Sequence, residues 1–252
     1  YHENLWTLKP LDESGTIRMY SQERIRAFVD DLVRKRWNVD ANRIMLSGGS
    51  MGGAGTSLWG VKRADYFSHL FSGVGVHIAS SSPQFTGSFE NSYGDRDQQL
   101  TYEGTDISIW DFENNALWLR QNVETEIPHL SFSNGKNDSE IGWPQAWQFA
   151  QALIDTKRPF TFKWGMSGHG ERPVFPGGGD RTAHPDMDFR KNQSLPAFTG
   201  GSLDQSLGSS PSAAEDSGRI NYWYLWKTDT VTDASSKWAM PLFLPSGAPE
   251  DT

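Results

Sequence analysis

The run Ser47-Gly48-Gly49-Ser50-Met51-Gly52-Gly53 constrains this chain more than any other stretch of similar length. Three apolar residues, Ile44, Met45 and Leu46, lead into it, and Ala54, Thr56 and Ser57 lead out toward Leu58 and Trp59. An apolar run left through glycines reads as a buried parallel strand. Small residues followed by apolar ones read as a helix packed close against a sheet. The pattern G-x-S-x-G on Gly48, Ser50 and Gly52 at such a junction is that of a nucleophile elbow. The serine then sits on a sharp, strained turn, and a side chain at Gly48 or Gly52 is expected to collide with neighbouring chain. The turn aims the start of the helix at the serine hydroxyl, which makes the amide of Met51 a candidate oxyanion donor. A phosphate-binding loop competes for glycine-rich sequence, but this spacing lacks the Lys-Ser/Thr ending such a loop needs.

Around the elbow the chain alternates between two periodicities. Ser21 is placed to cap a helix with apolar Ile25, Phe28, Val29, Leu32 and Val33, a stripe suited to lie on a sheet. Strands are predicted at Arg43–Ser47, His69–Val76, His129–Ser133 and Phe160–Trp164, with a helix over Gln145–Asp155 and a shorter one near Asn114–Gln121. That rhythm predicts an α/β fold, a mostly parallel sheet with helices on both faces. A short strand is expected near Leu5–Leu8. Residues 191–218, rich in Ser, Gly, Asp and Pro, read as a linker or long loop after a domain at 1–190. Residues 219–252 read as a β-rich segment, two strands at Arg219–Trp226 and Lys237–Leu244 joined by a polar turn.

Composition excludes several functions. The net charge of −8 argues against nucleic acid or anionic membrane as partner, and no apolar run is long enough to span a bilayer. The absence of cysteine removes disulfides, thiolate metal sites and cysteine nucleophiles. It leaves the compartment open, with a secreted or periplasmic location favoured over a cytoplasmic one. Eleven Trp are many for 252 residues. Core packing accounts for most of them, and the remainder suggest an aromatic surface for sugar rings or aromatic acyl groups.

The segment Asn42-Arg43-Ile44-Met45-Leu46-Ser47-Gly48-Gly49-Ser50-Met51-Gly52-Gly53 resembles the elbow of α/β-hydrolase esterases. The nearest group is that of polyhydroxybutyrate depolymerases, feruloyl esterases and prolyl-oligopeptidase-like enzymes. The resemblance covers roughly residues 20–175 and implies a C-terminal portion of that fold. It implies an acid in a G-x-x-D turn after a later strand, matched by Gly135-Lys136-Asn137-Asp138. It implies a histidine in a glycine-flanked loop after the next strand, matched by Gly168-His169-Gly170. In that arrangement Ser50 is the nucleophile, His169 the base and Asp138 the group that orients the imidazole. Glu140 and Asp155 compete for the acid role, and five other histidines compete with His169. Gly49, Trp110 and Trp143 are candidate substrate contacts. The implied substrates are carbohydrate-linked, aromatic or polymeric esters, hydrolysed without a cofactor or metal, with a peptidase or a non-catalytic binding module as alternatives.

Only 49 residues precede Ser50, fewer than the resembling hydrolases use for their earlier strands. The first half of the sheet and a second oxyanion donor are therefore expected from an N-terminal segment or another chain. Residues 80–128, long and rich in aromatics, are expected to wall the site and set substrate choice. Asp180, His184, Asp186 and Asp188 carry oxygen and nitrogen ligands on alternate positions, yet no complete calcium-loop motif; they read as an acidic solvated loop.

Overall fold

Parallel strands joined by helices must order themselves so that each crossover lies over the sheet, and the apolar runs of this chain do so. The protein is described by a computed structural model covering residues 15–171, 189–191 and 204–221, with the backbone of four short strands between 225 and 243. Strand β1 (Thr16–Ile17) leads into helix α1 (Tyr20–Ala27), which continues through π-helical turns at Phe28–Val33 into α2 (Arg34–Arg36). Then β2 (Met45–Gly49), α3 (Met51–Gly60) and β3 (His69–Gly73) make the first crossover unit. The stretch that follows holds α4 (Thr86–Tyr93), β4 (Thr101–Tyr102), α5 (Ile109–Phe112) and α6 (Asn115–Gln121). The second half adds β5 (His129–Gly135), α7 (Trp143–Asp155), β6 (Phe160–Gly165) and β7 (Gly218–Asn221).

The main sheet has the order β2-β3-β5-β6-β7, parallel except for the last pair. Helix α3 lies on the face that carries Leu70, because a Cβ at Gly60 would run into that side chain. Helix α7 lies on the same face, where Phe149 packs on Phe132 and Trp143 stacks on Phe162. These residues join Leu130, Phe160, Trp164 and Ile220 in one core. The opposite face presents His69 and His129, register partners whose rings stack on each other and on Phe189.

Three expectations need correction. The stripe of α1 and the turns after it is covered only in part among the described residues: Val29 packs on the main core and Val33 is half-buried, but Ile25 is 52%, Phe28 57% and Leu32 42% exposed. Nor does Ser21 cap the helix, which starts at Tyr20 without a side-chain cap. The reason for the exposure lies in the sheet. Among the described residues strand β2 pairs only with β3, and it alternates exposed with half-buried residues, whereas β3 and β5 are buried throughout. Residues 204–217 are a loop, as expected, but a strapped one. The indoles of Trp147, Trp143 and Trp164 donate to the carbonyls of Leu207, Pro211 and Glu215 at 2.8–2.9 Å. The β-rich segment accordingly begins inside the main sheet, with β7 antiparallel to β6. Two antiparallel pairs follow, Leu225–Trp226 with Leu242–Phe243 and Thr232–Ala234 with Lys237–Ala239. The strand expected at Leu5–Leu8 and the cluster Asp180, His184, Asp186 and Asp188 lie outside the described residues.

Burial pushes His69 down to about 3 and His77 down to about 4, from an ordinary 6.5. The unfolded chain takes up these protons near pH 6.5 and the folded chain does not. Stability is therefore highest above that value and falls as pH drops toward the folded pKa values. The slope reaches up to about 1.4 kcal/mol per pH unit for each histidine. Thermal melts from about pH 7.5 to about pH 4.5 should show a falling Tm, with a shallower fall in His69→Phe. An identical acid-side slope in that variant would remove His69 from the account.

Candidate active site

The elbow is built by a strand that cannot continue. At Ser50 the backbone takes φ 55° and ψ −119°, a left-handed conformation that costs a non-glycine residue about 1–3 kcal/mol. The strain is held from both sides: the Ser50 amide donates to the Gly73 carbonyl at 2.8 Å, and the Ser50 carbonyl accepts from Ala54 at 2.9 Å. Gly48 is required, since a Cβ there would overlap the backbone of Gly52. The collision expected for a side chain at Gly52 itself does not occur, because a Cβ there meets nothing within 4 Å. The tight contact is one-sided: Gly48 points at Gly52, and Gly52 points away. Deeper in α3, Gly53 meets the Gly73 carbonyl and Gly75 with no room for a side chain.

The acid and the histidine come from the carboxyl ends of the next two parallel strands. Asp138 follows β5, and its Oδ1 accepts from the amides of Glu140 and Ile141 at 3.0 and 3.1 Å. His169 follows β6 in a loop tied to the acid turn. Lys136 donates its amide to Gly165, Asn137 its side-chain amide to Met166, and Ser133 its hydroxyl to Glu171. Gly135 has no side chain where that loop crosses it; a Cβ would overlap the carbonyls of Ser167 and Gly168.

These ties bring three predicted residues together. His169 Nδ1 lies 2.8 Å from Asp138 Oδ2, and His169 Nε2 lies 2.6 Å from Ser50 Oγ. An ionised carboxylate only accepts, so the imidazole proton sits on Nδ1 and Nε2 is left to accept from the serine hydroxyl. Asp138 is almost fully buried, while His169 keeps about a third of its side chain open to solvent. The competing acids do not meet His169: Glu140 donates its backbone amide to Asp138, and the Asp155 carboxylate pairs with Arg120 at 3.0 Å. Of the competing histidines, His69 and His129 are buried in the sheet, His77 is buried in the segment after β3, and His2 and His184 lie outside the described residues. Met51 is the first residue of α3, so its amide is one of those no intrahelical carbonyl can satisfy. It remains the candidate oxyanion donor.

The other proposed contacts divide. Gly49 ends β2 beside the serine. Trp110 and Trp143 are 5% and 6% exposed and do not form an open aromatic surface. Trp110 packs edge-on against Tyr93, and Trp143 joins the main core and donates to Pro211. Packing partners from distant segments consume both rings. The aromatics that do approach the site are Phe85 and Phe89, packed on Ala54, Val76 and Ile141. Their segment is fixed to the acid turn, with Gln84 and Ser82 donating to the Glu140 carbonyl.

Behind the elbow lies a polar network with no local signature in the sequence. His77 donates from Nε2 to Asn134 Oδ1 at 2.9 Å and accepts at Nδ1 from Ser57 at 2.6 Å. The tautomer follows because the Asn134 side-chain nitrogen is already donating to Gly75. Gln145 accepts from the His77 amide, and Asn115 donates to Ser57. Only the alternation of small residues in Ser72-Gly73-Val74-Gly75 hinted that something must approach closely here.

The sequence profile of the Prolyl oligopeptidase family matches residues 20–174. No curated protein matches the chain. Among solved structures, the Pyrococcus horikoshii acylaminoacyl peptidase is 19% identical with a TM-score of 0.45, covering 59% of this chain and 23% of that one. An S-formylglutathione hydrolase from Agrobacterium tumefaciens is 21% identical with a TM-score of 0.46, covering 60% and 50%. The S-formylglutathione hydrolase of Staphylococcus aureus is 21% identical with a TM-score of 0.42, covering 60% and 54%. The chain spans about a quarter to a half of the length of these proteins.

The one-sided contact at the elbow makes a paired test. Gly48→Ala should destabilise the fold by about 1–3 kcal/mol or displace the elbow, and abolish reactivity of Ser50 toward a fluorophosphonate probe. Gly52→Ala should melt within about 1 kcal/mol of wild type and keep labelling. Equal labelling of the two variants would show that the close approach is not needed.

Proposed function

The chain belongs to the Prolyl oligopeptidase family of α/β-hydrolase serine hydrolases, and from that premise we propose that it hydrolyses carboxylic esters through an acyl-enzyme on Ser50. The reading is carried by one observation, the hydrogen-bonded series Ser50–His169–Asp138. His169 takes the hydroxyl proton as Ser50 attacks the acyl carbon, then returns it to the leaving alcohol. The Asp138 carboxylate keeps Nε2 facing the serine and stabilises the imidazolium that forms in between. Met51 donates its amide to the oxyanion, assisted by the start of α3. Water then repeats the cycle on the acyl-enzyme and releases the acid.

Esters are the less demanding of the two acyl substrates for such a centre. An alkoxide leaves with less help than an amine, so less transition-state stabilisation is needed. Carbohydrate-linked, aromatic and polymeric esters are the substrate classes to test first, with Phe85 and Phe89 packed on the cluster that holds Ile141 of the acid turn. A peptidase is the second reading, favoured by the family itself. The same proton transfers serve an amide once protonation of the leaving nitrogen is efficient.

The test is turnover of short-chain p-nitrophenyl esters beside peptide anilides. Ester turnover should exceed anilide turnover. Ser50→Ala should lower it by roughly a thousandfold or more, with the melt unchanged. Asp138→Asn should lower kcat by about a thousandfold or more through the wrong imidazole tautomer. Turnover in Ser50→Ala within about tenfold of wild type would overturn the assignment. Faster anilide cleavage would select the peptidase.

A further inference from the structure

At the end of the sheet away from Ser50 lies a cavity of about 180 Å3. It opens where β5 and β6 begin, so the seven residues of β5 separate it from the acid turn by roughly 20 Å. Its lining is unusual for a chain of net charge −8: Lys157, Arg158, Arg190 and Lys191 face a single carboxylate, Glu126. Two of the four cations are accounted for in part. Arg190 pairs with Asp40 at 3.2 Å, and Lys191 gives one of its three N–H bonds to the Asp65 carbonyl.

Arg158 is different. It is 8% exposed and donates to the carbonyls of Thr125 and Asn122 at 2.7 Å, yet its Nε–H is buried with no partner. No carboxylate pairs with it among the described residues. Burial pulls the guanidinium below its ordinary pKa, and only the charge of Glu124, acting without contact, opposes that. A buried cation with an unsatisfied donor costs several kcal/mol unless an anion meets it. The neighbouring Lys157 ammonium has no hydrogen-bonded or ionic partner among the described residues, and Lys157, with its left-handed backbone at φ 54°, lines the cavity beside Arg158. A guanidinium and an ammonium on one small cavity are the donors that oxyanions select.

We propose that this cavity is a binding site for a small oxyanion, a phosphoryl or carboxylate group held by Arg158, Lys157 and Lys191. The volume is below the range of pockets that take drug-sized ligands, so the site suits one such group with its water rather than a polymer segment. It lies apart from the reacting serine and works independently of it.

Thermal melts and calorimetry with inorganic phosphate and with citrate, each against sodium chloride at matched ionic strength, test the site. Wild-type protein should show a saturable rise in Tm beyond the chloride control. The anion bound more tightly identifies the source as phosphoryl or carboxylate. Lys157→Gln, an exposed change, should weaken binding by roughly tenfold, and Lys191→Gln by a similar factor. Arg158→Lys should weaken it as well; should that variant fail to fold, the two lysine variants still decide. Protein blocked at Ser50 by a sulfonyl fluoride should bind as wild type does. No saturable effect beyond chloride, or unchanged affinity in both lysine variants, overturns the proposal.

Discussion

The contact on which the rest depends is the approach of one helix to two strands with no side chains between them. Helix α3 touches β2 through Gly48 and Gly52, and touches β3 and its exit through Gly53, Gly73 and Gly75. Backbone against backbone at this distance leaves the chain one way to turn at residue 50. The strained φ of Ser50 is the result. The strain is opposed by the hydrogen bonds to Gly73 and Ala54 and by the buried network behind α3, in which Ser57, His77, Asn134, Asn115 and Gln145 satisfy one another. Such a network stabilises only when every member is partnered, which ties the helix to β5 and α7 in one arrangement.

Within that frame the site is a matter of loop ends. Asp138 and His169 follow adjacent strands, and the loops that hold them are bonded to each other through Lys136, Asn137 and the Asp138–His169 pair. The absent side chain of Gly135 lets them cross. The serine comes from two strands away and meets them through the imidazole alone, so its placement relative to the pair is governed by the sheet. Residues 82–89 then close on the acid turn from the side of α4.

Much of this was legible in the sequence where the cause is local. The elbow needs glycine and serine within five residues, and the acid and histidine loops carry their own glycines at Gly135, Gly168 and Gly170. The alternation of strand and helix patterns was legible for the same reason. What was not legible depends on partners far along the chain. The indoles of Trp143 and Trp164 are occupied by residues 211 and 215, and no pattern near residue 143 announces a loop some seventy positions later. Trp110 is enclosed by Tyr93, Leu100 and Ile17. The first strand of the β-rich segment joins the main sheet rather than its own partner, because membership of a sheet is decided by the neighbour, here β6. Expected burial of Phe28 and Ile25 failed for a related reason: an amphipathic stripe specifies a face, not what covers it.

The position of β2 has a bearing on how the protein fails. A serine carried by an interior strand would be lost only with global unfolding. Among the described residues Ser50 follows a strand with one neighbour, whose residues are exposed or half-buried. Among the described residues β2 and residues 20–36 are the least covered, the condition under which local opening is easiest, while β3 and β5 are buried throughout. Local opening there removes the nucleophile from an acid and an imidazole that are still in place.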